Sequence, residues 1–130
     1  MATLDDVSRL AARLPETTEV RRHGNRAWSV ADKVFAWERP FSKADIKRYG
    51  PEPVPAGVIV ATAVGDLAEK EAVLAAGTPG VFTIPHFNGY AAVLIALDEV
   101  AEPALQAALV DGWLAKAPSR LSAAYLAAEP

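Results

Sequence analysis

The chain of 130 residues contains no cysteine, so disulfide bonds and thiolate metal sites are excluded. It has only two histidines, His23 and His86, and they do not stand at a spacing typical of a zinc site. The sequence contains no other motif that is typical of a metal or cofactor site. We therefore expect no metal site and no cofactor.

Long hydrophobic runs are absent as well. The longest ones, 57–64 and 91–97, are far too short to cross a bilayer and are typical of buried strands. The first residues are acidic and amphipathic, whereas a secretory signal begins with basic residues that an apolar stretch follows. We expect a cytoplasmic protein that does not associate with membranes.

The common catalytic signatures are missing too. The sequence has no glycine-rich phosphate loop, no Gly-x-Ser-x-Gly elbow, no His-Glu-x-x-His zinc motif and no EF-hand loop. An enzyme needs polar groups that converge in a cleft, and no pattern here predicts such convergence. An enzyme is therefore the least favoured of three function classes, behind a DNA-binding protein and a binding module for a protein or a small ligand.

Positive charge is present but unevenly distributed. The net charge is −3, yet residues 20–48 carry eight basic and three acidic side chains, so this segment has a charge of +5 and the remainder −8. Such asymmetry can create a local electrostatic field that the net charge does not reveal. A solvated loop is the alternative interpretation. The candidate phosphate contacts are Arg21, Arg22, Arg26, Lys33, Arg39, Lys43, Lys47 and Arg48.

Apolar residues at helical spacing and capping residues predict several helices. Thr3 and Asp6 form a capping-box pattern at the start of a helix over 4–14. Asp66 caps a second helix that Gly77 ends. The remaining helices are predicted over 42–49, 103–117 and 119–128.

A first β-hairpin is predicted over residues 26–39, with its turn at Asp32-Lys33. This register places Trp28, Val30, Phe35 and Trp37 on one face of the hairpin. Core packing explains such a face best, because large aromatic side chains dominate core energetics. Stacking on the bases of a single-stranded nucleic acid is the alternative.

A buried strand over 58–64 and a second hairpin complete the expected sheet. The second hairpin is predicted around Asn88-Gly89, the strongest short signal for a two-residue turn. His86 and Tyr90 flank this turn and mark a candidate ligand pocket. For His86 the alternative is a histidine at the end of a hairpin that is hydrogen-bonded to backbone.

The order and spacing of these motifs resemble the MmcQ/YjbR family of small bacterial proteins over nearly the whole chain. The resemblance rests on short matches along the sequence. They are Leu14-Pro15, Trp28-Ser29-Val30, Lys33-Val34-Phe35-Ala36, the segment Pro85-His86-Phe87-Asn88-Gly89-Tyr90, Trp113 and Ala117-Pro118.

The resemblance implies one domain over residues 1–130 with an α+β fold. Its expected order is α-β(3)-α-β(2)-α, a two-layer antiparallel sheet with helices on one face, similar to the type III secretion chaperone-like fold. It also implies DNA binding by two hairpin wings, Arg26–Arg39 and Val81–Leu97. The second wing departs from such a role because it contains no lysine or arginine.

The leading hypothesis is a non-enzymatic DNA-binding protein whose affinity falls steeply with salt. In the predicted hairpin Lys33 lies near the tip, whereas Arg21, Arg22, Arg26 and Arg39 lie at the base. The base is therefore the expected site for a polyanion. The alternative is a module, monomeric or a homodimer, that binds a protein or a small ligand and has no nucleic-acid role.

Overall fold

The computed structural model describes residues 2–41, 47 and 57–128, which form one antiparallel sheet with helices packed on it. The strands lie in the order β1-β2-β3-β4-β6-β5. They are β1 Thr17–Arg22, β2 Asn25–Val30, β3 Lys33–Glu38, β4 Ile59–Ala63, β5 Val81–Phe82 and β6 Ala92–Ala96. The helices are α1 Leu4–Ala11, α2 Leu67–Ala75, α3 Glu102–Lys116 and α4 Ser119–Ala128. The α+β class and the antiparallel sheet are thus confirmed.

Two apolar clusters lie on the two faces of the sheet. On one face α1, α3 and α4 cover the strands, and their side chains surround the fully buried Trp28 and Trp113. On the other face Ile84 and Phe87 cover Leu94 and its neighbours. Helices α1, α3 and α4 therefore form the expected layer on one face, and the segment with Ile84 and Phe87 packs on the other.

Strand β1 is an element that the sequence did not predict. It pairs with β2 from Thr17 opposite Val30 to Arg22 opposite Asn25. The two-residue turn between the strands, His23-Gly24, has positive φ at both positions, 52° and 79°. Because β1 is an edge strand with only one apolar residue, its sequence lacks the alternation that marks a half-buried strand.

The predicted register of the first hairpin is wrong. The turn is Ala31-Asp32, with φ values of 49° and 66°, so Val30 pairs with Lys33 instead of Phe35. A bulge then inserts an extra residue, and Trp28 pairs with Ala36. Since side chains alternate along a strand, the extra residue of this bulge moves Trp37 to the face opposite Trp28.

The second hairpin does not form a ribbon. Strands β5 and β6 pair, but a 3₁₀ turn over Pro85–Phe87 and a further turn replace the predicted two-residue connection. Asn88 has a φ of −60° and Gly89 one of +77°, while the N–H of Tyr90 donates to the carbonyl of Phe87 at 3.0 Å. This geometry is a type II turn, which needs glycine at its third position only.

Helix caps follow the sequence closely. Thr3 and Asp6 exchange hydrogen bonds of 2.9 and 3.2 Å at the start of α1, and the Asp66 side chain accepts from the N–H of Glu69 at 2.8 Å at the start of α2. Of the helix predicted over 42–49, only the exposed Lys47 is among the described residues; Lys43 and Arg48 lie outside them.

Arg26 connects β2 with β1 and α1. Its Nε donates to Glu19 Oε2 at 2.8 Å, its Nη2 donates to Ser8 Oγ at 2.6 Å, and its guanidinium lies 5.8 Å from the centre of the Trp28 ring. Hydrogen bonds from Arg26 and then from Ser8 lower the pKa of Glu19 below its ordinary 4.5. The guanidinium of Arg26 therefore serves this internal network.

Substituting Arg26→Met is expected to reduce the free energy of unfolding by about 1 kcal/mol at neutral pH, because the pair is partly exposed. Urea denaturation of both proteins at several pH values measures the effect. A carboxyl whose pKa is lowered in the folded state stabilises above its unfolded pKa and loses this contribution as pH falls through the folded value. The difference between the two proteins should thus shrink below pH 4.5; a difference that stays constant would contradict the network.

Candidate functional site

A groove of 370 Å³ lies along β3 beside the β1–β2 turn. Val34 and Arg39 line it five residues apart on the same strand and its continuation, so the groove extends about 16 Å. Its charged and ionisable lining is dominated by cations. The cations are Arg22, Arg26, Arg39 and Lys116, and Glu38 is the one carboxylate among the described lining residues; His23 also lines the groove.

The groove brings together residues that the sequence assigned to two separate sites. Arg22, Arg26 and Arg39 were predicted phosphate contacts, and Tyr90 was predicted to line a ligand pocket. All four line this one groove. His86 belongs to the 3₁₀ turn, but its side chain lies outside the described part of the structure.

Two other predicted contacts lie away from the groove. Arg21 faces Arg26 across the β1–β2 pair, and alternation along β1 therefore directs it to the face opposite Arg22. Its Nη1 donates to the carbonyl of Gly24 at 3.4 Å. Lys33 is exposed at the start of β3, next to the Ala31-Asp32 turn, and does not line the groove.

The cations of the groove differ in their partners. Arg22 and Lys116 are exposed and form no ion pair with any residue in the described ranges. The guanidinium of Arg39 lies 5.5 Å from the centre of the Phe87 ring, and its Nη1 donates to the carbonyl of Pro40 at 2.6 Å. Arg22 and Lys116 are thus the charges most readily available to an anion.

These two charges approach the groove from its opposite ends. Arg22 ends β1 and lies beside the β1–β2 turn, near the end of β3 that leads to Arg39. Lys116 follows Gly112 by one helical turn, and Gly112 lies against the backbone of Phe35, near the start of β3. Positive charge therefore stands at both ends of the groove.

Aromatic rings form the middle of the groove. The rings of Trp37 and Tyr90 are 6.3 Å apart, and Phe87 meets Tyr90 edge-on at 5.5 Å. Trp37 is half-buried, whereas Tyr90 is 53% exposed. The groove thus combines an accessible aromatic surface with cations on both sides.

Lys70 fixes the segment that carries two of these rings. Its Nζ donates to the carbonyl of Phe87 at 2.5 Å and to that of Tyr90 at 2.8 Å. The residue is only 7% exposed, and burial lowers the pKa of its amine. This buried lysine satisfies two backbone carbonyls and holds Tyr90 in position.

Comparison with known proteins places the chain in a family. The uncharacterised proteins Rv2570 of Mycobacterium tuberculosis and Mb2600 of Mycobacterium bovis are each 45% identical to it over 131 residues. Each alignment covers 98% of this chain and 98% of the relative. The chain belongs to the family of these mycobacterial proteins. No family model matches it, and no solved structure does.

Three residues that form or support the groove were not predicted from the sequence. Trp37 was predicted on the same face as Trp28, because the bulge in β3 was not foreseen. Lys116 lies in the helix predicted over 103–117, Lys70 lies in the helix that Asp66 caps, and neither was among the predicted site residues. Only the correct hairpin register could have indicated Trp37; no local signal marks the other two.

Two further observations concern the described ranges only. No group of three or more histidine, aspartate or glutamate side chains there is arranged to hold a metal ion. None of the helices in the same ranges is long and apolar enough to cross a membrane.

Proposed function

We propose that this protein is a non-enzymatic DNA-binding protein that contacts the phosphate backbone with the cations of the groove. The observation that carries the proposal is the gathering of Arg22, Arg39 and Lys116 around one groove that has a single carboxylate among the residues described by the structure. Phosphate contacts by arginine and lysine supply most of the affinity of proteins that bind DNA without sequence preference.

The charge distribution supports weak, salt-sensitive binding. The net charge of −3 repels a polyanion at long range. At short range, the local excess of positive charge at the groove attracts it. Few phosphates can be contacted at once by this set of cations. We therefore expect dissociation constants in the range of non-specific binding, about 10⁻⁴–10⁻⁶ M at physiological salt.

The resemblance to the MmcQ/YjbR family supports the same proposal, since that family is described as DNA-binding through two hairpin wings. The site proposed here differs from that scheme. The Val81–Leu97 segment contributes Tyr90 instead of a basic tip, and the first hairpin contributes its base, with Arg22 and Arg39. We also propose that the chain belongs to the MmcQ/YjbR family.

Fluorescence anisotropy with a labelled duplex at about 50 and 200 mM salt tests the function. Arg22→Gln is expected to weaken binding severalfold at the lower salt and to reduce the slope of log K against log salt by about 0.9, the value for one lost phosphate contact. Arg21→Gln is the matched control, because it removes the same charge from the next residue, on the opposite face.

We expect Arg21→Gln to have a clearly smaller effect than Arg22→Gln. Equal losses in the two variants would mean that total charge, and not the groove, determines affinity. Absence of binding by the unmodified protein to DNA of any form at the lower salt would remove the proposed function altogether.

A small anionic ligand is the second candidate, and the shape of the site favours it. A volume of 370 Å³ lies within the range of small-molecule pockets, about 300–1,000 Å³. Aromatic rings with a few convergent polar groups are also typical of such pockets. Isothermal titration with nucleoside monophosphates, compared with inorganic phosphate, tests this candidate; saturable binding in the micromolar range would favour it over DNA.

A further inference from the structure

Tyr90 is an exposed aromatic side chain that is held in place from below. The residue is 53% exposed, yet Phe87 meets its ring edge-on and Trp37 lies tilted at 6.3 Å. Lys70 also fixes its backbone carbonyl. Burial does not explain the position of this ring, because more than half of its surface faces solvent. Its arrangement is that of a preorganised platform for a planar group.

The platform lies between the cations at the two ends of the groove. Arg22 stands at one end and Lys116 at the other. A ligand that fits all three features has a planar ring in the middle and a negative charge on each side. A nucleotide within a strand has this composition, since its base lies between two phosphates.

We propose that the groove accepts an unpaired nucleotide of single-stranded DNA, with its base on Tyr90 and its flanking phosphates at Arg22 and Lys116. This inference rests on the proposed DNA-binding function and specifies the form of the DNA. In a duplex, stacking between neighbouring base pairs covers the faces of the bases, so only an unpaired base can lie on the platform.

A free nucleotide shares the chemistry of an unpaired one, and the two sources differ in charge. A nucleoside monophosphate carries phosphate on one side of its sugar and can engage one end of the groove. A nucleotide inside a strand engages both ends. The positions of Arg22 and Lys116 at opposite ends of the groove therefore favour the strand.

The test compares three labelled ligands by fluorescence anisotropy at low salt. They are a short single strand of thymidines, a strand of the same length with abasic sites in place of the bases, and a duplex. The thymidine strand is expected to bind about 10-fold more tightly than the abasic strand, which is within the contribution of one stacked base. We expect the duplex to bind no better than the abasic strand.

Two substitutions at Tyr90 test whether this residue causes the preference for the thymidine strand over the abasic strand. Tyr90→Ala is expected to bring the affinity for the thymidine strand down about 10-fold, to the level of the abasic strand. Tyr90→Phe keeps the ring and should retain the preference. Because the side chain is exposed, both variants should fold, and circular dichroism checks this.

Equal affinity for the thymidine and abasic strands would overturn the inference, as would a Tyr90→Ala variant that keeps the preference. Thymidine monophosphate that competes as well as the strand would also overturn it and assign the groove to a free nucleotide. These results differ from a failure of the proposed function, in which none of the three ligands binds.

Discussion

Replacing Trp113 with alanine is expected to lower the free energy of unfolding by about 4 kcal/mol. The side chain is fully buried in the cluster between the helices and the sheet. Its ring packs against Tyr125 at 5.1 Å, and its Nε1 donates to the carbonyl of Pro15 at 3.0 Å. The substitution removes these contacts together, leaves a large cavity and frees a carbonyl in the connection between α1 and β1.

Urea denaturation at neutral pH measures this loss, with Trp113→Phe as the control. Phenylalanine fills most of the cavity but cannot donate to Pro15, so we expect it to cost about 2 kcal/mol. If the alanine variant lost less than about 1 kcal/mol, Trp113 would not be central to the core. If the two variants were equal, the hydrogen bond would outweigh the packing.

The substitution Gly80→Ala is expected to lower the free energy of unfolding by about 3 kcal/mol, the second largest effect that we expect. Gly80 has a φ of +90°, which is strained for a residue with a side chain. An added Cβ would lie 2.9 Å from the backbone nitrogen of Val100 and 3.1 Å from the carbonyl oxygen of Ala96. Because both neighbours are backbone atoms, the segment before β5 would have to move away from β6.

The variant Gly77→Ala separates the cost of the positive φ from the cost of the close contact between Cβ and the backbone. Gly77 also has positive φ, +67°, but a Cβ there would meet nothing within 4 Å. We expect this variant to cost about 1 kcal/mol, the cost of the backbone conformation alone. Thermal denaturation of both variants gives the comparison, and equal losses would show that the close approach at Gly80 carries no cost.

Local signals in the sequence predicted the helices well. The caps at Thr3 and Asp66 depend on hydrogen bonds that reach three residues along the chain, so their signatures are complete within a short segment. Within the helix predicted over 103–117, Leu105, Leu109 and Trp113 recur at the period of a helix, and all three are buried.

Strand pairing was predicted less well because it depends on the turn and on the partner strand. Placing the first turn one residue too late changed the pairing partners, but the bulge in β3 is what reversed the face of Trp37, and no feature of the sequence indicated that bulge. Asn88-Gly89 favours a two-residue hairpin locally, yet Pro85 begins a 3₁₀ turn and the segment folds over the sheet.

The candidate site was predicted in parts. The concentration of positive charge identified Arg22 and Arg39, and the turn around Asn88 identified Tyr90. Their meeting in one groove follows from the sheet order and could not be deduced from the chain. Lys116 reaches the groove from a helix that is distant in sequence, and an exposed lysine at a helix end has many ordinary explanations.

The three tryptophan indole N–H signals in a ¹⁵N-labelled protein provide the most direct test of the groove as the DNA site. Trp37 lines the groove, whereas Trp28 and Trp113 are buried among the residues that the helices cover. When a short single-stranded oligonucleotide is added at low salt, the Trp37 signal should shift with saturation and the other two should stay in place. Binding that leaves Trp37 unmoved, or that shifts Trp28 or Trp113 instead, would contradict the proposed site.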